Sequence, residues 1–178
     1  KAYLTPDATA DFSKVTFRQI GENQVRAEHA TTHGRPETLK VSVGYKDCFI
    51  GEGEISYGGS NCMARAELAA EILEKRIELT GIELEEYRTD FIGCNSLYRD
   101  AISKKIGSGT PCEVRLRVAG RTKDRKNAVL LANEVEALYT NGPAGGGGAV
   151  KRVSEIVSVC SIFVPRDAVE AKVTFREV

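Results

Sequence analysis

The 178-residue sequence predicts an α+β fold, with helices laid on one face of largely antiparallel or mixed sheets. Three observations carry that class. Short stretches such as Thr38–Tyr45 and Cys112–Gly120 alternate apolar with polar residues, the two-residue period of a half-covered strand. Two longer stretches repeat apolar residues at three- and four-residue steps, the period of a helix lying on a core. Their order runs strands, helix, strands, twice over, with no repeat at the level of letters. The expected architecture is two strand-rich units, each with one main helix packed on its sheet.

Taken in order, Lys14–Ile20 sets Val15 and Phe17 between polar neighbours, and Gln24–Ala30 follows after Gly21-Glu22-Asn23, so the two predict a hairpin. Thr38–Tyr45 and Cys48–Tyr57 predict a second pair across a Lys46-Asp47 turn. The first helix is predicted over Asn61–Leu79, where Met63, Ala66, Ala70, Leu73 and Ile77 form one apolar stripe; Ser60 or Asn61 can cap its start and Gly81 ends it. Arg88–Tyr98 reads as a buried strand running into a loop. Cys112–Gly120 is a further strand, and Asp124 can cap a helix that carries Ala128, Leu131, Val135 and Leu138 on one face. Beyond the glycine run, Val153–Pro165 and Ala171–Val178 read as strands broken at Pro165-Arg166-Asp167.

Composition limits the partners. Lys plus Arg and Asp plus Glu are 25 each, so no overall field favours nucleic acid or an anionic membrane, and the basic stretch from Arg115 to Lys126 lacks the interleaved aromatics of a single-strand binder. No apolar run approaches the roughly 20 residues that span a bilayer. Five cysteines, at 48, 62, 94, 112 and 160, have no CxxC spacing and sit in apolar or helical stretches, which predicts reduced, mostly buried thiols, no zinc and a cytoplasmic protein. The chain does not begin with Met, as expected of a fragment or a processed subunit.

Chemistry-bearing patterns are few. The run Gly145–Gly148 fails the Walker loop, since Lys151 follows Val150 and precedes Arg152, and neither it nor Gly51-Glu52-Gly53 has the dinucleotide spacing. No cofactor is predicted. Either a helix C-cap with a mobile connection or a shaped binding loop fits that run. Gly58-Gly59-Ser60-Asn61 leads a strand directly into a helix whose first amides could hold a carboxylate or phosphate, against the plain reading of a capped tight turn. Asp47, Glu52 and Glu54 fall close together, and carboxylates two apart on a strand share one face, which suits an acid/base pair, a hard-metal site or a plain solvated strand face; Asp47 and Glu52 are the candidate catalytic residues. His29 and His33 lack the Glu of a zinc-protease helix, because Ala30 stands in its place, and are read as surface residues.

The blocks YLTPDATADFSKVTFRQIG, TLKVSVGYKDCFIGEGEISYGGSNCMARAELAAEIL, DFIGCNSLY and EVEALYTNGPAGGGG, in that order over nearly the whole chain, resemble the acyclic terpene utilisation A (AtuA) family. The resemblance implies the C-terminal part of a larger cytosolic catabolic protein, with residues 1–108 ending a main α/β portion and residues 109–178 forming a small ferredoxin-like α+β domain. It implies a pathway in which carbon skeletons travel as coenzyme A thioesters, without naming a reaction. It makes Asn141 and the amides of Gly145, Gly146, Gly147 and Gly148 candidates, beside Gly58, Gly59, Ser60 and Asn61, for holding a phosphate, a thioester oxygen or a partner's backbone. The GGSN segment departs from the Gly-Pro-Gly turn of many relatives.

Two classes of function follow. One is an enzyme acting on an acyl-CoA or related carboxylate; the other is a non-catalytic assembly module, expected to form a homo-oligomer or to pair with an N-terminal portion. The chain lacks a nucleophile beside a base, which favours the second. Segregated charge points the same way: Glu67–Asp90 is acidic and Glu113–Lys126 is basic, so that subunits could meet through faces of opposite sign.

Overall fold

The computed structural model describes residues 2–106, 109 and 111–177. The domain boundary expected at 108/109 involves Ser108, which lies outside the described residues. The fold is α+β, and every strand pairing whose register is defined is antiparallel. The chain divides into two compact units, residues 46–158 and residues 1–45 with 159–178.

Residues 46–158 hold a four-stranded sheet in the order β7-β8-β6-β9. Its strands are β6 (Thr38–Gly58, which begins in the other unit), β7 (Glu86–Ile92), β8 (Glu113–Thr122) and β9 (Gly146–Pro165). Helix α1 (Cys62–Thr80) joins β6 to β7, α2 (Arg99–Ile106) joins β7 to β8, and α3 (Arg125–Asn141) joins β8 to β9. Apart from α2, this β-α-β-β-α-β order is compatible with the expected ferredoxin-like arrangement. Both long helices fall in this one unit, side by side against β8.

The reason is legible in β8, which alternates strictly: Val114, Leu116 and Val118 are buried, while Arg115 and Arg117 between them are only half-covered. The core joins those residues to Ile55 and Tyr57 of β6, Ala66, Ala70 and Leu73 of α1, and Leu131, Val135 and Leu138 of α3. Each large aliphatic side chain fully removed from water contributes roughly 1.5–3 kcal/mol. Glycines set how closely α3 lies on β6: a Cβ at Gly51 would stand 2.2 Å from the Ala128 carbonyl oxygen, and one at Gly53 would stand 2.5 Å from Val135 Cβ.

The other unit is built differently. Strands β1 (Ala2–Leu4), β2 (Thr9–Asp11) and β5 (Thr31–His33) form one small sheet, and β3 (Thr16–Gly21) with β4 (Gln24–Glu28) forms the predicted hairpin, its turn passing through Asn23 at φ 56°. None of this unit's described residues is buried, and all of the buried apolar side chains belong to residues 46–158. Polar ties hold it instead. Arg166 Nε donates to the Pro36 carbonyl at 3.1 Å, its guanidinium donates to the Pro6 carbonyl, and its backbone N–H donates to Glu37 O at 3.1 Å.

Several expectations are corrected. Lys46-Asp47 is not a turn: β6 runs unbroken from Thr38 to Gly58, because Lys46 pairs with Glu155 and Asp47 is engaged by neighbouring strands. The segment 88–98 passes from β7 through a turn toward α2 rather than ending in a plain loop. Residues 146–148 belong to β9, leaving the turn to residues 142–145. After β9 a short 3-10 helix spans Arg166–Ala168, and residues 171–177 have no regular structure, since no sheet edge pairs with them. Cys48 and Cys62 are buried and Cys94 half-buried, but Cys112 and Cys160 are exposed, because the first precedes β8 and the second lies on a strand with no buried residue. Gly81 ends α1 at φ 65° and Asp124 caps α3 by accepting from the Lys126 N–H, both as predicted.

Candidate functional site

With α1 and α3 covering one face of the sheet, the alternation of β6 and β8 sends Glu52, Glu54, Ser56, Arg115 and Arg117 to the opposite face. There the side chains form a row of alternating charge across all four strands. Arg117 of β8 donates to both oxygens of Glu52 at 3.1 Å and to Asp90 of β7 at 3.0 Å, and Arg152 of β9 reaches Glu52 from the other side at 3.2 Å. Asp90, 2% exposed, also accepts from Arg88 Nε at 2.7 Å. Arg115 donates to Ser56 Oγ at 2.8 Å and to Glu54. The register puts Arg117 opposite Glu54 and Arg115 opposite Ser56, so each arginine reaches a glutamate on the diagonal.

Asp47 lies at the far end of the same system. It accepts from Arg121 at 2.8 Å, from Lys123 at 3.1 Å and from the Ser158 hydroxyl at 2.6 Å. The Ser158 hydrogen bond, helped by Lys123, holds its carboxyl below the ordinary range. Arg117 does the same for Glu52 against the opposing effect of burial. Burial pushes Asp90 up, but hydrogen bonds from Arg88 and Arg117 outweigh it and leave the carboxyl lowered. An acid/base pair needs two carboxyls whose affinities for a proton are driven apart. Here Asp47 and Glu52 are driven the same way, and each is already spoken for by cations. Glu52, Glu54, Lys151 and Arg152 border a depression of about 270 Å³ between β6 and β9. Among the described residues no group of three His, Cys, Asp or Glu could hold a metal ion.

The two glycine segments converge. Arg65, in the first turn of α1, donates to the carbonyls of Gly58, Ser60 (3.1 Å) and Ala144 (2.7 Å), joining the GGSN turn to the start of the glycine run. Its guanidinium carbon stands 5.9 Å from the centre of the Tyr57 ring. Gly145, at φ 77°, leaves room for this, since a Cβ there would lie 2.6 Å from an Arg65 nitrogen, and one at Gly146 would lie 3.1 Å from the Tyr57 ring. Asn61 is the N-cap residue but sits in the left-handed region at φ 56° and makes no side-chain cap, so its predicted capping role is not realised. Ser60 contributes its carbonyl. Gly147 has open space around it, and Gly148 offers its carbonyl to Arg115 at 3.2 Å.

The sequence pattern of the acyclic terpene utilisation family protein AtuA matches residues 1–175. The chain belongs to the AtuA family. No curated protein and no solved structure matches it. In this AtuA family chain Asn141 borders a crevice of about 210 Å³ between α1 and α3, with Ile72, Leu73, Ala137 and Leu138, and Arg76 and Glu134 close one side through two hydrogen bonds of 2.9 and 3.0 Å. His29 and His33 are exposed, as expected of surface residues. No described helix is long and apolar enough to cross a membrane.

Reading the sequence alone missed Arg65, Asp90, Arg117 and Arg152. A signal existed for one of them, Arg117: glutamates at 52 and 54 and arginines at 115 and 117 share the two-residue step of facing strands. The register that joins them is tertiary. Four of the six basic residues in Glu113–Lys126 (Arg115, Arg117, Arg121 and Lys123) find acidic partners within the chain, chiefly Asp47, Glu52 and Glu54, which lie outside the acidic stretch Glu67–Asp90.

Proposed function

We propose that this chain serves acyclic terpene utilisation as an assembly module rather than as the seat of the chemistry. One observation carries the reading: residues 1–45 with 159–178 contain apolar strands but no buried described residue. Phe17 is 74% exposed and Phe163 59%. A set of strands with no fully buried side chain offsets little of the conformational entropy of ordering it, so a second polypeptide surface is expected to cover it. The committed state of Asp47 and Glu52 supports the same reading. A second reading, a site for a coenzyme A thioester or related carboxylate at the Arg65 junction, is supported by the Tyr57 hydroxyl, which is buried without a hydrogen-bond partner. Thermal shift with millimolar acyl-CoA thioesters separates the two. The assembly reading expects no change, whereas a rise in Tm, which binding at tens of micromolar would give, overturns it.

A further inference from the structure

Strand β9 is an edge. The order β7-β8-β6-β9 gives it one neighbour, and none of its 20 residues is buried, although Val153, Ile156, Val157, Val159, Ile162 and Phe163 all belong to it. Natural proteins blunt such an edge with lysines, prolines or bulges, because its unpaired N–H and C=O groups otherwise take up another strand. Here Pro165 closes the strand, and the charges in it are Lys151, Arg152 and a single acid, Glu155.

We propose that two copies of the chain pair antiparallel through β9, joining their four-stranded sheets into one; this inference rests on the assembly reading and names its partner. The geometry allows only certain registers. A two-fold axis perpendicular to the sheet keeps the helices of both copies on one face, so residues directly opposite must share the parity of their numbers. Glu155 therefore has one basic partner in β9, Lys151, and the axis passes at Val153. In that register Lys151 faces Glu155 of the second copy twice over, Val150 faces Ile156, and Ala149 faces Val157. Opposite charges directly across an antiparallel pair are stabilising and like charges are not. The present partners of these residues, Glu136 for Lys151 and Lys46 for Glu155, form exposed pairs that contribute little and can be shared.

The test is the mass of the full chain in solution by sedimentation velocity, for the native sequence and for K151E and E155K. The native chain should be a dimer at tens of micromolar. Each variant sets like charges opposite each other twice and should weaken dimerisation roughly tenfold, since two cross-strand pairs change sign. In a mixed dimer of K151E with E155K one cross-strand pair is native and the other is native with its two charges exchanged. Both are again opposite in sign, so mixing should restore a dimer as tight as the native one. Intramolecular pairs are not repaired by mixing, so recovery reports only the contact between copies. A monomeric native chain, single variants that dimerise as well as the native chain, or a mixture that stays weak would each overturn the proposal. A monomer that gives no thermal shift with thioesters would remove this pairing and leave the assembly reading standing.

Discussion

Asp90 is more deeply buried than the other acids of the charged face. It is buried at the edge of the sheet with hydrogen bonds from Arg88 and Arg117, and Arg99 stands 3.8 Å away. Removing its charge takes away the carboxylate that Arg88 donates to and leaves Arg117 with Glu52 alone. Asp90→Asn should therefore cost about 2 kcal/mol, read as a lower urea midpoint at unchanged slope; a loss under about 0.5 kcal/mol would mean that water replaces the carboxylate freely. The three lowered carboxyls also set an acid limit. Because Asp47, Glu52 and Asp90 release their protons more readily folded than unfolded, their stabilisation is complete above about pH 4, where free carboxyls ionise, and is lost as pH falls through the lower folded values. The melting temperature should be level from about pH 8 to 5 and drop below about 4, and Glu52→Gln, which removes one of the three, should make that drop shallower.

At the scale of elements, the contact of α3 with β6 depends on two missing side chains. Gly51→Ala drives a methyl into the Ala128 backbone, which cannot step aside, whereas Gly53→Ala meets the Val135 side chain. The second substitution should cost about 1–3 kcal/mol as overpacking, and Val135→Ala in the same chain should recover part of it; for Gly51 no side-chain change should help. Thermal denaturation of Gly51→Ala and Gly53→Ala, each with and without Val135→Ala, decides this, and equal rescue at both positions would contradict it. The two long helices, α1 and α3, were legible because their apolar stripes are long and they carry Gly81 and Asp124 at their ends, whereas the short α2 was not predicted. The continuity of β6 was not, since Lys46-Asp47 has the composition of a turn and is kept extended by Glu155, Arg121, Lys123 and Ser158, which come from over 70 residues away.

Over the whole molecule, burial is divided unevenly. Residues 46–158 contain the core, while the other unit is held by strand ladders, by Arg166 and by a Tyr3–Phe12 ring contact at 6.5 Å. Protection from hydrogen exchange should follow that division, with amides of β8 and of residues 51–57 exchanging slowest and those of β3 and β4 exchanging orders of magnitude faster. Slow exchange in β3 and β4 at micromolar protein would reveal that a partner already covers them. Dilution should then release it.

By itself the sequence determined the α+β class, the two long helices with Gly81 and Asp124 at their ends, the β3–β4 hairpin and the family, because each is written in local periodicity or in contiguous motifs. Only the tertiary structure decided that the glutamates of β6 are neutralised by arginines some 60 residues on, that Arg65 ties the GGSN turn beside it to Ala144, 79 residues further along, and that among the described residues one unit holds every buried apolar side chain. The reason is physical. Alternation shows that a strand has two faces, but the register and the covering helices choose which face meets charge and which meets core, and those choices are made by residues distant in the chain.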